Sequence, residues 1–364
     1  MPLPRTDARA AIFDGPHRPL RLEAVSRPAL EPGEALVRVS LCTVCGSDLH
    51  TVSGRRKEKT PSVLGHEPTG TVEEVCGDVR DARGEPVRVG DRVVWAVAVS
   101  CGGCFFCARG LPQKCETLRK YGHEPHTPQC GPLGGLTTHC HLLRGTAIVK
   151  VPAGVPDAVA APAGCATATV AAALRAAGLL APLSSSPRVV VFGLGMLGLT
   201  ACAWLDALGA VPVACDVSDA RLAHAERFGA KFVALPHELA DVVAGATVGR
   251  GADAALELSG APPACAASLE VLRIGGTAVW VGAVSPTEPV PVPPEALVRR
   301  CLTLTGVHNY APADLLAAVA FLEANHARYP FAGLVSRTFP LLAVNDALAF
   351  AEAEKPVRVA VDCG

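Results

Sequence analysis

With 364 residues, about twice the roughly 150 of a typical domain, the chain is long enough for two domains, each with its own core. Its 33 Lys and Arg against 34 Asp and Glu leave a net charge of −1, which gives no basic field for nucleic acid or an anionic membrane surface. The longest weakly polar run, 158–174, falls short of the roughly 20 apolar residues a bilayer needs, and residues 1–14 lack the apolar core of a signal peptide, so no membrane span and a cytoplasmic location are expected.

From Glu34 to about Val151 short Val-rich runs at 34–41, 70–75 and 92–99 are punctuated by Pro and Gly, as in a small barrel-like β unit. Two groups of metal-ligand residue types interrupt them. The first is dispersed: Cys45-Gly-Ser47-Asp48-Leu-His50, then Gly65-His66-Glu67, with Cys165 much later. The second is compact: Cys101, Cys104, Cys107 and Cys115 lie within fifteen positions, and Gly102, Gly103 and Gly110 let the chain double back. Tetrahedral zinc takes four ligands at about 2.3 Å, and a closed Cys₄ set leaves no open position, so this lobe is expected to hold a structural zinc. Fifteen cysteines, an odd number, do not suit a disulfide framework.

From about Thr167 the pattern changes. After a loop expected at 181–187, apolar runs at 188–192, 211–215, 252–258 and 277–281 alternate with helical stretches at 196–208, 219–228 and 263–272, the signature of βαβ units around a parallel sheet. The first run enters Gly193-Leu-Gly195-Met196-Leu197-Gly198, a Gly-x-Gly-x-x-Gly fingerprint at a strand-to-helix turn. Gly193 allows the turn, Gly195 the approach of a pyrophosphate, and Gly198 close strand–helix packing, while the helix start at Met196 and Leu197 offers unpaired N–H groups. Asp216, 18 residues beyond Gly198, closes the next run where a carboxylate accepts from an adenosine ribose and repels a 2′-phosphate. NAD is therefore expected over NADP, although Arg221 nearby suits a 2′-phosphate. The last stretch, 334–339, 341–353 and 357–361, reads strand, helix, strand.

Together, Cys45 through His50, Gly65-His66-Glu67, the Gly-Asp-Arg-Val run from Gly90, the cysteine lobe, Cys165 and the glycine fingerprint resemble the zinc-dependent medium-chain alcohol dehydrogenases, in family order over nearly the whole chain. The resemblance implies an α/β protein: a GroES-like, partly open β-barrel catalytic domain at 1–166 and 309–364, with its zinc lobe at 100–116, and a Rossmann doubly wound parallel-sheet domain at 167–308. It implies Cys45, His66 and Cys165 as catalytic-zinc ligands, with Glu67 able to approach the metal. Three protein ligands and an open position are the arrangement of a catalytic site. Ser47 and His50 would relay the alcohol proton, Asp48 would orient His66, Val281 and Gly282 would run past the nicotinamide, and the protein would be a homodimer or homotetramer. Cys76 stands where the family usually has glycine.

Substrate signals are fewer. Trp95, Val97 and Val99 alternate as pocket wall or barrel core, and Arg55 and Arg56, in a cationic run after His50, could clamp an anion by bidentate hydrogen bonds. Residues 42–56, the run from Cys165 and Gly306-Val-His-Asn-Tyr310 are similar to a subgroup associated with phosphonate metabolism, which implies a small hydroxyalkyl phosphonate or its aldehyde as substrate. His123 and His126 are further candidates to line the cleft. A polyol or aminocyclitol dehydrogenase, and a non-catalytic zinc- and dinucleotide-binding protein, are the alternatives.

Overall fold

The computed structural model describes residues 8–127, 130–180 and 185–364, so most of the loop expected at 181–187 lies outside the described residues. The chain divides into two units, one running up to Cys165 and resuming at Ala311–His326 and Phe331–Gly364, the other made of Ala166–Tyr310 with Ala327–Pro330. The short return at 327–330 has a local cause. Arg328 Nη2 and Tyr329 OH both donate to Asp206 Oδ2, at 2.6 and 2.7 Å.

In the first unit the principal sheet runs Ile148–Lys150, Arg92–Trp95, Pro68–Cys76, Glu34–Val44, Arg358–Asp362, Val335–Pro340, and His139–Leu142 also pairs with Glu34–Val44. Val37, Val39, Val93, Trp95, Val359 and Val361 fill its core. Glu34–Val44 holds the centre, its core-facing positions Ala35, Val37, Val39, Cys42 and Val44 being small or branched apolar residues that pack a buried, pleated surface. The chain's last strand lies antiparallel against it, with Val361 opposite Cys42 and Val359 opposite Val44. That register carries Arg358 to the end of the strand from which Cys45 emerges.

The expected strand at 92–99 is broken. It stops at Trp95 and resumes at Ala98–Val99, which pair with a different partner, Arg119–Lys120, where the cysteine lobe leaves the barrel. Trp95 is 1% exposed and packs edge-on against Tyr121, so Trp95 and Val99 are barrel core and do not form an open wall. Cys76 needs no glycine conformation, because the left-handed turn falls on Gly77, at φ +71°.

The second unit is built on six parallel strands in the spatial order Phe232–Ala234, Val211–Cys215, Arg188–Phe192, Ala252–Glu257, Leu272–Trp280, Thr303–Gly306. The first strand in sequence therefore lies third, and the order reverses beside it, where doubly wound sheets bind ligands at the strands' C-terminal ends. Helices Met196–Ala207, Asp219–Arg227 and Pro262–Glu270 follow the expected positions. The strand expected at 277–281 starts earlier, at Leu272, and passes a pairing irregularity opposite Ala252 and Ala254. No single helix among the described residues is long and apolar enough to cross a membrane.

Candidate active site

Strand Glu34–Val44 delivers Cys45 to the N-cap of helix Gly46–Val52, and the Cys45 N–H donates to Asp48 Oδ2 at 2.9 Å, which fixes the first turn. Asp48, 2% exposed, turns its other oxygen to the neighbouring segment. Oδ1 accepts from Gly65 N at 3.3 Å and lies 3.3 Å from His66 Nδ1, an approach too oblique to count as a hydrogen bond. Gly65, at φ +87°, is required there: an added Cβ would stand 2.8 Å from both Cys42 Sγ and Leu136 N. On the far side of the ring His66 Nε2 is 3.2 Å from Ser47 Oγ.

The ligand-type atoms of Cys45, His66, Glu67 and Cys165 all lie within 4.8 Å of one another. Two thiols, an imidazole and a carboxylate converging in this way suit zinc, and the burial of His66 and Glu67 keeps the donor set from dispersing into water. A hydrogen bond from Cys165 holds the Cys45 thiol well below its ordinary range against the opposing effect of burial, and Cys165 is raised correspondingly. A bound cation would release the proton the pair shares.

Glu67 is fully buried and already engaged: Oε2 accepts from Thr43 Oγ1 at 2.6 Å and Arg358 Nε at 2.8 Å, and Oε1 from Arg358 Nη2 at 2.9 Å. Burial raises its pKa, and the bidentate guanidinium opposes that rise. Thr43 and Arg358 were absent from the sequence reading. Their partner is remote in the chain, 291 residues away for Arg358, and only the sheet register brings them together.

His50 lies on the same short helix; burial and then the Arg55 cation lower its pKa, with Cys45 and Glu352 opposing. The two arginines do not form a joint clamp. Arg55 reaches Ser53 Oγ and Glu352 Oε1, at 3.1 and 3.4 Å, while Arg56 Nε sits 2.6 Å from Glu58 Oε1. The same Glu58 oxygen is 3.0 Å from His123 Nδ1, and the His123 ring lies beside that of His66, centroids 5.3 Å apart. Burial pushes the His123 pKa down to about 4 although Glu58 opposes it. His126 N donates to Pro61 O at 2.7 Å, and its buried Nδ1 has no hydrogen-bond partner among the described residues.

The second thiol group is also assembled. The Sγ atoms of Cys101, Cys104, Cys107 and Cys115 lie within 4.8 Å of one another; Cys107 opens a short 3₁₀ turn, Cys107–Arg109, and Cys115 follows a second, Pro112–Lys114, with Gly110 at φ +76° between the two. The Cys101 N–H donates to Cys115 Sγ at 3.2 Å and brings that thiol down to about 6. All fifteen cysteines are free thiols.

In the second unit an added Cβ at Gly198 would stand 1.9 Å from Gly193 O, so only glycine lets helix and strand approach this closely. At Gly195 an added Cβ meets nothing within 4 Å, which leaves the backbone open to a phosphate group at the start of the helix. Asp216 Oδ2 accepts from Leu194 N at 2.7 Å and Oδ1 from Ser218 N at 3.1 Å, tying the second strand's end to the glycine turn; Arg221 stands 3.9 Å away. Val281 and Gly282 both donate their N–H to Glu257 O, at 2.9 and 3.1 Å, past the end of their strand.

A barrel unit with a four-donor centre beside a serine hydroxyl, a Cys₄ lobe and a doubly wound unit with a glycine fingerprint together define a metal- and dinucleotide-binding oxidoreductase. The comparisons with known proteins make the class specific. Residues 31–153 match the alcohol dehydrogenase GroES-like domain, and 197–324 match the zinc-binding dehydrogenase family. An alcohol dehydrogenase of Geobacillus stearothermophilus is 32% identical over 318 residues, 86% of this chain and 88% of the relative; a 5-exo-hydroxycamphor dehydrogenase of Pseudomonas putida is 31% identical over 98% of both chains. The crystal structure of an alcohol dehydrogenase from Thermotoga maritima superposes with a TM-score of 0.90 at 30% identity, covering 98% of this chain and 99% of that one. The chain belongs to the zinc-dependent medium-chain alcohol dehydrogenases.

Proposed function

We propose that the protein moves a hydride between an alcohol and NAD, giving an aldehyde or ketone, with Cys45, His66 and Cys165 holding a catalytic zinc and the four-cysteine lobe a second. The observation that carries this is the convergence of those three donors with Ser47 Oγ, 3.2 Å from His66 Nε2. Zinc in that position supplies Lewis acidity, which lowers the pKa of an alcohol enough to ionise near neutral pH. Ser47 would take the alcohol proton, and His50 would stand at the end of the relay that delivers it to solvent. The Asp48 carboxylate, 3.3 Å from His66 Nδ1, would act on the ring's orientation through its charge. Glu67, anchored by Thr43 and Arg358, would reach a bound zinc only if the guanidinium yielded.

Asp216 supports NAD. A carboxylate has about four acceptor positions, and two backbone N–H groups leave room for ribose hydroxyls. Of the two substrate readings, an anionic hydroxyalkyl phosphonate would lean on Arg55 and Arg56, and both cations already hold carboxylates. The pairing favours a neutral, hydroxylated substrate of the polyol type. The test is absorbance of the reduced nicotinamide with zinc-loaded protein, NAD or NADP, and matched neutral polyols and phosphonate- or carboxylate-bearing alcohols. Turnover of the neutral set with NAD is expected, and turnover confined to anionic alcohols would restore the clamp.

A further inference from the structure

Strand Ala252–Glu257 lies beside Arg188–Phe192 where the strand order of the second unit reverses, so its C-terminal end borders the crevice in which doubly wound sheets bind ligands. Glu257 is the last residue of that strand, and the turn after it touches both segments implicated in dinucleotide binding. On one side the Leu258 N–H donates to Phe192 O at 2.9 Å, immediately before the glycine fingerprint. On the other, Glu257 O accepts from the Val281 and Gly282 N–H groups. Three glycines leave the turn no slack. An added Cβ would stand 2.7 Å from Ser259 Cβ at Gly193, 2.5 Å from Gly282 O at Gly260, and 2.2 Å from Gly260 N at Gly282. The turn at 258–260 is thus wedged between the fingerprint and the segment expected to pass the nicotinamide.

A carboxylate keeps the turn in that gap. Glu257 Oε1 accepts from Ser259 N at 2.8 Å, Ser259 Oγ at 2.5 Å and Gly260 N at 2.8 Å. Ser259 Oγ in turn accepts from Ala261 N at 3.1 Å, at the cap of helix Pro262–Glu270. Three donors on one oxygen suit an ionised acceptor, because hydrogen bonds to a charged group are shorter and stronger than those to a neutral one. The side chain is fully buried, and Oε2 takes no hydrogen bond among the described residues, so the burial of this carboxylate is offset by the turn that Oε1 holds. Nearby, burial and then the Glu257 charge push the Cys265 thiol up to about 11.

The two flanks of the turn are not anchored alike. The fingerprint has holds of its own on the far side, where Gly193 N donates to Cys215 O at 2.9 Å and Leu194 N to Asp216 Oδ2 at 2.7 Å. Past Trp280, residues 281 and 282 lean on Glu257 O and on the wedged turn. We propose that Glu257 is a positioning residue for the dinucleotide: its Oε1 sets the 258–260 turn, and through it the place of Gly282, so that it governs the nicotinamide end of the cofactor and leaves the adenosine end alone. The inference rests on the dinucleotide reading of this unit and deepens it by dividing that site into two separately held ends.

The experiment titrates the zinc-loaded full chain with NADH, followed by its fluorescence, and with ADP-ribose, which lacks the nicotinamide, followed by calorimetry. Glu257→Gln keeps the size of the side chain but offers one neutral acceptor oxygen and an NH₂ group that only donates. Its Kd for NADH is expected to weaken at least about 10-fold while that for ADP-ribose stays within about 2-fold of wild type. Ser259→Ala removes one of the three donors and leaves the carboxylate and both backbone bonds, so it carries the same comparison if Glu257→Gln does not fold; the two Kd values are expected to separate in the same direction by a smaller factor. A general loss of structure would weaken both ligands together. An ADP-ribose Kd that weakens as much as that of NADH, or two unchanged Kd values, overturns the inference alone and leaves Glu257 as a turn former. A wild type that binds neither ligand overturns the dinucleotide reading with it.

Discussion

His50 and Arg55 show how one surface cation tunes a functional group. Burial and the nearby guanidinium keep the imidazole below its ordinary value. In the proposed relay His50 accepts a proton only when neutral, so its ionisation would set the acid limb of the rate. Removing the cation in Arg55→Gln makes the imidazolium easier to form, raises the His50 pKa and moves that limb to higher pH. Because Arg55 is 59% exposed, the difference from wild type should shrink as salt is added. A pH–kcat/KM profile whose acid limb is unmoved would show that His50 does not carry the proton.

At this scale the sequence was legible where function demands residue types at short spacing, as in Cys101 to Cys115 or Cys45 to His50. It was illegible where a side chain's role depends on what meets it from elsewhere. The cationic run at 55–59 contains its own counter-charge, Glu58, while Glu352, on Arg55, is 297 residues on. No spacing rule distinguishes a free arginine pair from two arginines already spoken for. His123 could be named as lining the cleft, but its partner Glu58, 65 residues earlier, could not.

Among the elements, the glycine turn is the sharpest instance of backbone geometry dictating composition. Gly198→Ala would force a Cβ into Gly193 O and push the helix away from its strand, moving the N–H groups that would receive phosphate. A dinucleotide Kd at least about 10-fold weaker is expected, since misplaced donors lose about 1.4 kcal/mol or more per lost charge-assisted bond. NADH fluorescence titration checks it, and zinc content should not change. The period of the sequence exposed most of these elements, with 188–192 and 211–215 found at their observed limits. Phe232–Ala234 escaped because three residues show no period, and 92–99 was misread as one strand because Val and Ala continue through the change of partner at Trp95.

For the molecule as a whole, the second unit is tied together by Asp206 on helix Met196–Ala207. Its oxygens meet Lys231 Nζ at 2.7 Å, Arg328 Nη2 at 2.6 Å and Tyr329 OH at 2.7 Å. Burial raises the carboxyl, but Lys231, Tyr329 and Arg328 together bring it below its ordinary value. A depressed carboxylate contributes stability above its unfolded pKa, and that contribution is lost as pH falls through the folded value. Asp206→Asn should therefore melt at a lower temperature than wild type near pH 7, and the two curves should converge in acid below pH about 4. A gap that persists into acid would mean that the carboxylate's charge is not what holds Lys231 and the 327–330 return.

The central claim is that two separate cysteine-containing centres hold zinc, and that only one of them works on alcohol. Zinc per chain, measured beside the NADH-forming rate for wild type, Cys45→Ser and Cys104→Ser, tests it most directly. Two zinc per chain and turnover are expected in wild type, one zinc and no turnover in Cys45→Ser, and one zinc with turnover retained but reduced thermal stability in Cys104→Ser. Full turnover in Cys45→Ser, or a wild type that binds a single zinc at the four-cysteine lobe, would contradict it.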